Sequence, residues 1–194
     1  RIMHMKNKVT IALSGNPNAG KTTVFNAITG ARQHIANYPG VTVEKKYGTV
    51  NHKGYEIEVV DLPGTYSLTA YSLEEVVARD YLVNEKPDMV VTIVDASNLE
   101  RNLYLSVQFM EMGIPVCLAL NMMDVAKKRG IDINVDRLSE LLGIPVVPMV
   151  ARTGKGKEEL LAQVAKGIDK PASPLFISYG QDIDKALDEM EEII

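Results

Sequence analysis

The sequence predicts an α/β fold: a mostly parallel six-stranded sheet with one antiparallel edge strand and helices on both faces. Three observations predict it. Short apolar, β-branched runs alternate with segments whose apolar residues recur at helical spacing. A glycine-rich loop, Gly15 to Thr22, joins the first strand-like run to the first helical one. Polar motifs at 15–22, 61–64, 95–98, 121–124 and 151–154 each fall at the end of such a run, where ligands sit on a parallel sheet.

The elements follow in order. Val9 to Leu13 reads as a buried strand, and Thr23 to Ile28 as the first turns of a helix that Gly30 stops. Residues 30–43 show no periodicity and contain Pro39-Gly40, so they read as a long functional loop. Glu44–Val50 and Tyr55–Val60, joined by Asn51-His52-Lys53-Gly54, read as a hairpin. A loop then runs to about Ser72. A helix over Leu73–Asn84 buries Leu73, Val76, Val77 and Tyr81. Asp88–Asp95 is a continuous apolar strand, and Leu99–Met112 a helix capped by Asn98 or Ser97 and closed by Gly113. Val116–Leu120 is a strand, Asp136–Leu142 a short helix ended by Gly143, Pro145–Pro148 a short strand, and Lys157–Ile168 the closing helix.

The 194 residues suit one domain of ordinary size that needs no staples. Residues 6–168 form that domain. Arg1 to Met5 reads as a remnant ahead of the native start, and 169–178, with Pro171 and Pro174, as a linker. Residues 179–194 read as an acidic amphipathic helix with Ile183, Leu187, Met190 and Ile194 on one stripe. Its partner surface is either this domain or a segment beyond it. A net charge of -4 supplies no global field for nucleic acid. Cys117 is the only cysteine and lies in an apolar run, so it reads as a small core residue. No apolar run reaches the roughly 18 residues of a membrane span. The expectation is a soluble chain in a reducing, cytosolic setting.

Gly15-Asn16-Pro17-Asn18-Ala19-Gly20-Lys21-Thr22 fits the phosphate-loop pattern G-x-x-x-x-G-K-[ST]. Glycines allow a tight turn and bring backbone N–H groups close to a phosphate. Lys21 adds a point charge on the β/γ-phosphates, the Thr22 hydroxyl suits Mg²⁺, and the following helix turns its positive end to the anion. Asn121-Met122-Met123-Asp124 then selects the base. A carboxylate at Asp124 accepts from both N–H groups on the N1–N2 edge of guanine, and adenine offers no such pair. Met122 is flexible enough to cover the base. Val150-Ala151-Arg152 stands where GTPases carry a Ser-Ala-Lys-like turn. Val150 replaces the serine, so the expected role there is the Ala151 N–H on the guanine oxygen.

Asp61-Leu62-Pro63-Gly64 matches D-x-x-G. Its carboxylate supports Mg²⁺ and the Gly64 N–H meets the γ-phosphate. Thr42, in the 30–43 loop, completes the magnesium shell when the γ-phosphate is present, and losing that phosphate releases both loops. Thr23, Gly40 and Val41 fall within the same contact set. Asn18, Lys21, Thr42 and Gly64 are the residues expected to act on the γ-phosphate.

With these motifs in place, the chain resembles the N-terminal G domain of the ferrous iron transport protein B family, a Ras-like P-loop GTPase. The stretches Asn37 to Glu44 and Thr65-Tyr66-Ser67-Leu68 carry the family-specific part of the likeness, which spans about residues 7–168. It implies a nucleotide-dependent switch that controls ferrous iron uptake. It also implies a following helical domain, begun by 179–194, and a polytopic membrane domain, with this chain a cytosolic fragment. Asn18 resembles the asparagine that ligates K⁺ in potassium-activated GTPases, this family among them; the alternative is that it braces its own loop. Thr65 stands where many GTPases place a water-orienting glutamine and is too short for that task, so intrinsic hydrolysis is expected to be slow and potassium-stimulated. A homo-oligomer stays open.

Other residues carry weaker readings. His34 and His52 read as exposed and structural. Arg32 is a weak candidate finger, and Glu74-Glu75 are helix-start carboxylates rather than iron ligands. Two other functions compete. An RNA- or ribosome-associated assembly GTPase shares the phosphate loop and N-x-x-D motif, but the acidic balance opposes it. An ATP-dependent metabolic enzyme fails on Asp124.

Overall fold

The computed structural model describes residues 7–168. The expected remnant at 1–5, the linker at 169–178 and the helix at 179–194 lie outside them. Seven strands form a single sheet in the order β2-β3-β4-β1-β5-β6-β7. They are β1 (Asn7–Gly15), β2 (Gln33–Asn37), β3 (Glu44–His52), β4 (Tyr55–Asp61), β5 (Met89–Asp95), β6 (Val116–Asn121) and β7 (Val146–Pro148). β1 pairs in parallel with both β4 and β5, and β5–β6 and β6–β7 continue in parallel. β3 runs antiparallel to β4 through a hairpin whose turn residues, Lys53 and Gly54, both have positive φ. The α/β reading therefore holds.

The sheet is one strand wider than expected. β2 falls inside the segment read as a loop, and it extends the antiparallel edge by pairing with β3. All five of its residues are exposed. A strand with neither face buried shows no alternation, so nothing in its composition marks it.

Among the described residues, six helices cover the two faces: α1 (Lys21–Thr29), α2 (Leu73–Glu85), α3 (Leu99–Glu111), α4 (Met123–Lys128), α5 (Val135–Leu142) and α6 (Lys157–Gly167). Alternation along the strands sorts the core into two layers. Ile11, Leu13, Val59, Val91 and Ile93 pack with Phe25 of α1 and Leu160 and Val164 of α6. Ala12, Val60 and Val90 face the other way, onto Val77 and Tyr81 of α2 and Leu105 and Phe109 of α3. Cys117 is buried in the first layer, and burial pushes its thiol up to about 12. Phe109 is fully buried. Phe109→Ala is expected to lower the unfolding free energy by about 3–5 kcal/mol, read as a drop in the urea midpoint with little change in slope.

Three local expectations change. Leu73 is 46% exposed, and Leu82 takes its place on the buried face of α2. Asn98 precedes α3, but its side chain does not cap it; Asp95 Oδ1 accepts from the Ser97 N–H instead, at 2.8 Å. The short helix α4 was not expected, because it begins inside the Asn121–Asp124 motif and lasts only six residues.

Candidate functional site

β1 lies at the centre of the sheet; the connection that leaves it runs to the β2–β3–β4 side, and the connection that leaves its neighbour β4 crosses to β5 on the other side. A crevice therefore opens at its carboxyl end. Residues 16–20 cross that crevice from Gly15 to the start of α1. Two glycines are dictated by what lies beside them. A Cβ on Gly15 would stand 2.6 Å from the Ile93 carbonyl oxygen. At Gly20, φ is +91° and a Cβ would stand 2.3 Å from Asn121 Nδ2. Gly20 also occupies the N-cap of α1 and offers no side chain to the first-turn N–H groups. Those donors face the crevice end of the helix, where an anion would satisfy them.

Lys21, in the first turn, forms an ion pair with Asp61 at the end of β4. Both side chains are largely buried. Burial pushes the Asp61 carboxyl above its ordinary value, even with the Lys21 ammonium against it and Lys46 nearby. The loop after β4 stays close to the phosphate loop. The Thr65 N–H donates to the Gly15 carbonyl at 3.3 Å, and a Cβ on Gly64 would stand 3.6 Å from the Pro17 Cα. Thr65 is buried, and among the described residues its hydroxyl has no partner.

Asn121 ties the remaining motifs to this centre. Its Nδ2 donates to the Ala19 carbonyl at 3.1 Å, and its Oδ1 accepts from the Ala151 N–H at 3.0 Å. The phosphate loop, the end of β6 and the 3-10 turn Ala151–Thr153 thus share one buried amide. Asp124, in the first turn of α4, accepts from Arg152 Nη2 at 2.5 Å. That guanidinium holds the Asp124 carboxyl below the usual carboxylate range. A Cβ on Gly20 would stand 3.6 Å from the Met122 methyl, so Met122 lies beside the loop. Asp124, Met123, Lys127, Val150 and Lys155 line a cavity of about 630 Å³.

Of the expected residues, Gly15 to Lys21, Asp61 to Gly64, Asn121 to Asp124 and Val150 to Arg152 gather at this edge of the sheet. Thr22 and Thr23 are exposed in the first turn of α1. Thr42 is not drawn in. It is exposed in the turn after β2, and among the described residues no hydrogen bond joins it to Lys21 or Asp61. Gly40 and Val41 stay in the same turn. Asn18 sits at φ +68° and is exposed, and among the described residues no hydrogen bond holds its amide. It borders a cavity of about 200 Å³ with Asn16, Asp95, Asn98, Arg101 and Asn102.

Sequence reasoning did not find several partners. Tyr38 is buried and donates to the Asp61 carbonyl at 3.1 Å, and burial pushes its phenol up. The Lys45 ammonium lies 5.3–5.9 Å from the Tyr38, Tyr47 and Tyr81 rings. The Arg101 guanidinium stacks 4.6 Å over the Tyr66 ring, while its carbonyl accepts from Asn16 Nδ2. A lone aromatic or cation in a loop leaves no periodic trace. Glu75 closes a capping box on Ser72 and accepts from the Tyr71 N–H, which lowers its carboxyl. That is a structural task, as its helix-start position implies. His52 is only partly exposed and lies 3.8 Å from Glu158.

A glycine loop running from the central strand of a parallel sheet into a helix, opposite a buried Lys–Asp pair, defines a P-loop α/β domain of the G-domain type. The family model described as ferrous iron transport protein B matches residues 9–164, and the chain belongs to that family. It is 50% identical over 190 residues to an Fe(2+) transport protein A/Fe(2+) transporter FeoB fusion protein of Porphyromonas gingivalis, covering 96% of this chain and 22% of that one. Among solved structures, it is 52% identical to the FeoB G-domain from Methanococcus jannaschii, with a TM-score of 0.76, covering 84% of this chain and 99% of that one. It is 44% identical to the cytosolic domain of T. maritima FeoB in its GMPPNP form, with a TM-score of 0.91, covering 95% and 73%. The chain spans about a fifth of the length of the curated transporters it matches. Among the described residues, no helix is long and apolar enough to cross a membrane.

Proposed function

We propose that this chain is the guanine-nucleotide-binding, GTP-hydrolysing domain of a ferrous iron uptake transporter. The observation that carries the reading is the convergence at one sheet edge of the Lys21–Asp61 pair, the uncapped start of α1 and the Asn121–Asp124 motif. Family membership supports it, as does the likeness to a FeoB domain described in a GMPPNP form.

In this reading the first-turn N–H groups of α1 and the Lys21 ammonium hold the β/γ-phosphates, and Asp124 reads the N1–N2 edge of guanine. The Gly64 N–H binds the γ-phosphate. Thr22, Thr42 and Asp61 would supply the hard oxygen ligands that suit Mg²⁺, Asp61 from its largely buried position beside Lys21. When bound, Mg²⁺ neutralises charge on the β- and γ-phosphate oxygens. The free amide oxygen of Asn18 suits K⁺. Low intrinsic turnover follows from Thr65, which is too short to orient water. The following helical and membrane domains are the partners through which hydrolysis would act on iron uptake at the cytoplasmic face of the membrane.

Binding is tested by competition titration, with GTP and GDP expected to bind far more tightly than ATP and ADP; equal affinity would overturn the reading. The switch is tested by hydrogen exchange. Residues 38–43 and 62–72 are expected to exchange more slowly with a non-hydrolysable GTP analogue than with GDP, because Thr42 and Gly64 gain partners only with a γ-phosphate. β2 is held to β3 by its ladder and is excluded from that expectation. Identical exchange in the two states would count against a switch.

A further inference from the structure

Both groups assigned to guanine already have partners inside the protein. The Ala151 N–H donates to Asn121 Oδ1, and Asp124 Oδ2 accepts from Arg152 Nη2 at 2.5 Å. Arg152 lies on the turn that follows β7, and the bridge between Val150 and Lys155 closes that turn. Asp124 lies on the helix that follows β6. The ion pair therefore spans the two elements between which a base would enter.

The chemistry of the two ligands is closely matched. The N1–C2–N2 edge of guanine is itself a planar guanidine-like unit, with N–H donors on two nitrogens bonded to one carbon. An arginine guanidinium presents the same arrangement with a full positive charge. A carboxylate placed to accept from one is placed to accept from the other.

We propose that Arg152 is an internal stand-in for guanine. It occupies Asp124 when no nucleotide is bound and must leave before the base can pair, so it sets the association rate and the affinity for nucleotide. The inference rests on Asp124 as the guanine-reading carboxylate. Only the fraction of molecules with Asp124 open can bind, so the apparent association rate and affinity fall by that fraction. Dissociation is untouched, because the displaced Arg152 has no hold on the bound base. The Arg152 side chain is 67% exposed and that of Asp124 23%. Exposed pairs are weak, so the competition amounts to about threefold. Salt screens it over a Debye length of about 10 Å at 0.1 M.

The test is stopped-flow binding of N-methylanthraniloyl-GDP to the chain and to its Arg152→Ala, Arg152→Lys and Asp124→Asn variants. Arg152→Ala is expected to raise the association rate and tighten binding by about threefold with an unchanged dissociation rate. Arg152→Lys keeps the charge without the planar fork and is expected to fall between the two. Raising sodium chloride from 0.05 to 0.5 M at fixed potassium is expected to close the gap between wild type and Arg152→Ala. A simple loss of packing would not respond to salt in this way. Unchanged or weaker binding by Arg152→Ala, or a gain confined to dissociation, would overturn the stand-in. If Asp124→Asn loses guanine preference while Arg152→Ala binds as wild type does, only the stand-in fails. If Asp124→Asn keeps full guanine preference, Asp124 is not the reader and both fall.

Discussion

Asp124→Asn is expected to lower GDP affinity about 100-fold while leaving ADP affinity where it was. In the proposed reading the carboxylate accepts two hydrogen bonds from guanine with charge assistance. A carboxamide keeps one acceptor and turns a donor toward the N–H groups of the base, so one bond is lost and a second is opposed. The same change favours xanthine, whose oxygen at C2 accepts what the new amide donates. The preference is therefore expected to move from guanine to xanthine rather than simply weaken. Stability offers a control. The Asp124–Arg152 pair is exposed, so its loss is expected to leave the thermal midpoint nearly unchanged. Isothermal titration with GDP, xanthosine diphosphate and ADP reads all three affinities at once. A variant that still prefers guanine to the wild-type extent would remove Asp124 from base recognition.

The motifs were legible in the sequence because each sits where a strong local pattern ends. An apolar β-branched run such as Met89–Asp95 cannot be stable unless buried on both faces, and its last residue must then open onto loop. Five such endings placed 15–22, 61–64, 95–98, 121–124 and 151–154 along one edge of the sheet before any contact was known. What stayed hidden has a different physical origin. β2 is held by backbone hydrogen bonds to β3 with every side chain exposed, so its composition is free to look like loop. Tyr38 is buried by what α2 and β4 bring to it, and Arg152 meets Asp124 across 28 residues of chain. Such pairings exist only once the strands are in order. The family likeness pointed to the chemistry of the site, but not to which of its groups the protein itself engages.

That last distinction matters most at Asn18. Potassium is expected to raise steady-state GTP turnover about tenfold over sodium at matched ionic strength, and Asn18→Ala to abolish the difference. An arginine finger in other systems contributes about 10³–10⁵ in rate by placing positive charge against the phosphates. Arg32 is exposed at the start of the edge strand, and Arg101 is stacked on Tyr66 with its carbonyl on Asn16. Neither stands as a finger, and in the proposed reading K⁺ supplies that charge. The competing view, that Asn18 braces its own loop, requires a hydrogen bond from its amide to the backbone. Among the described residues there is none, although the residue holds a left-handed backbone at φ +68°. An amide kept in that conformation and left free is suited to an external partner. Sodium is smaller and holds its water more tightly, so the expected contrast lies in turnover. The Asn18→Ala protein should still bind GDP, because the N–H groups of the loop and Lys21 remain. Full potassium stimulation surviving in the variant, or equal rates in the two salts for the wild type, would take Asn18 out of the mechanism.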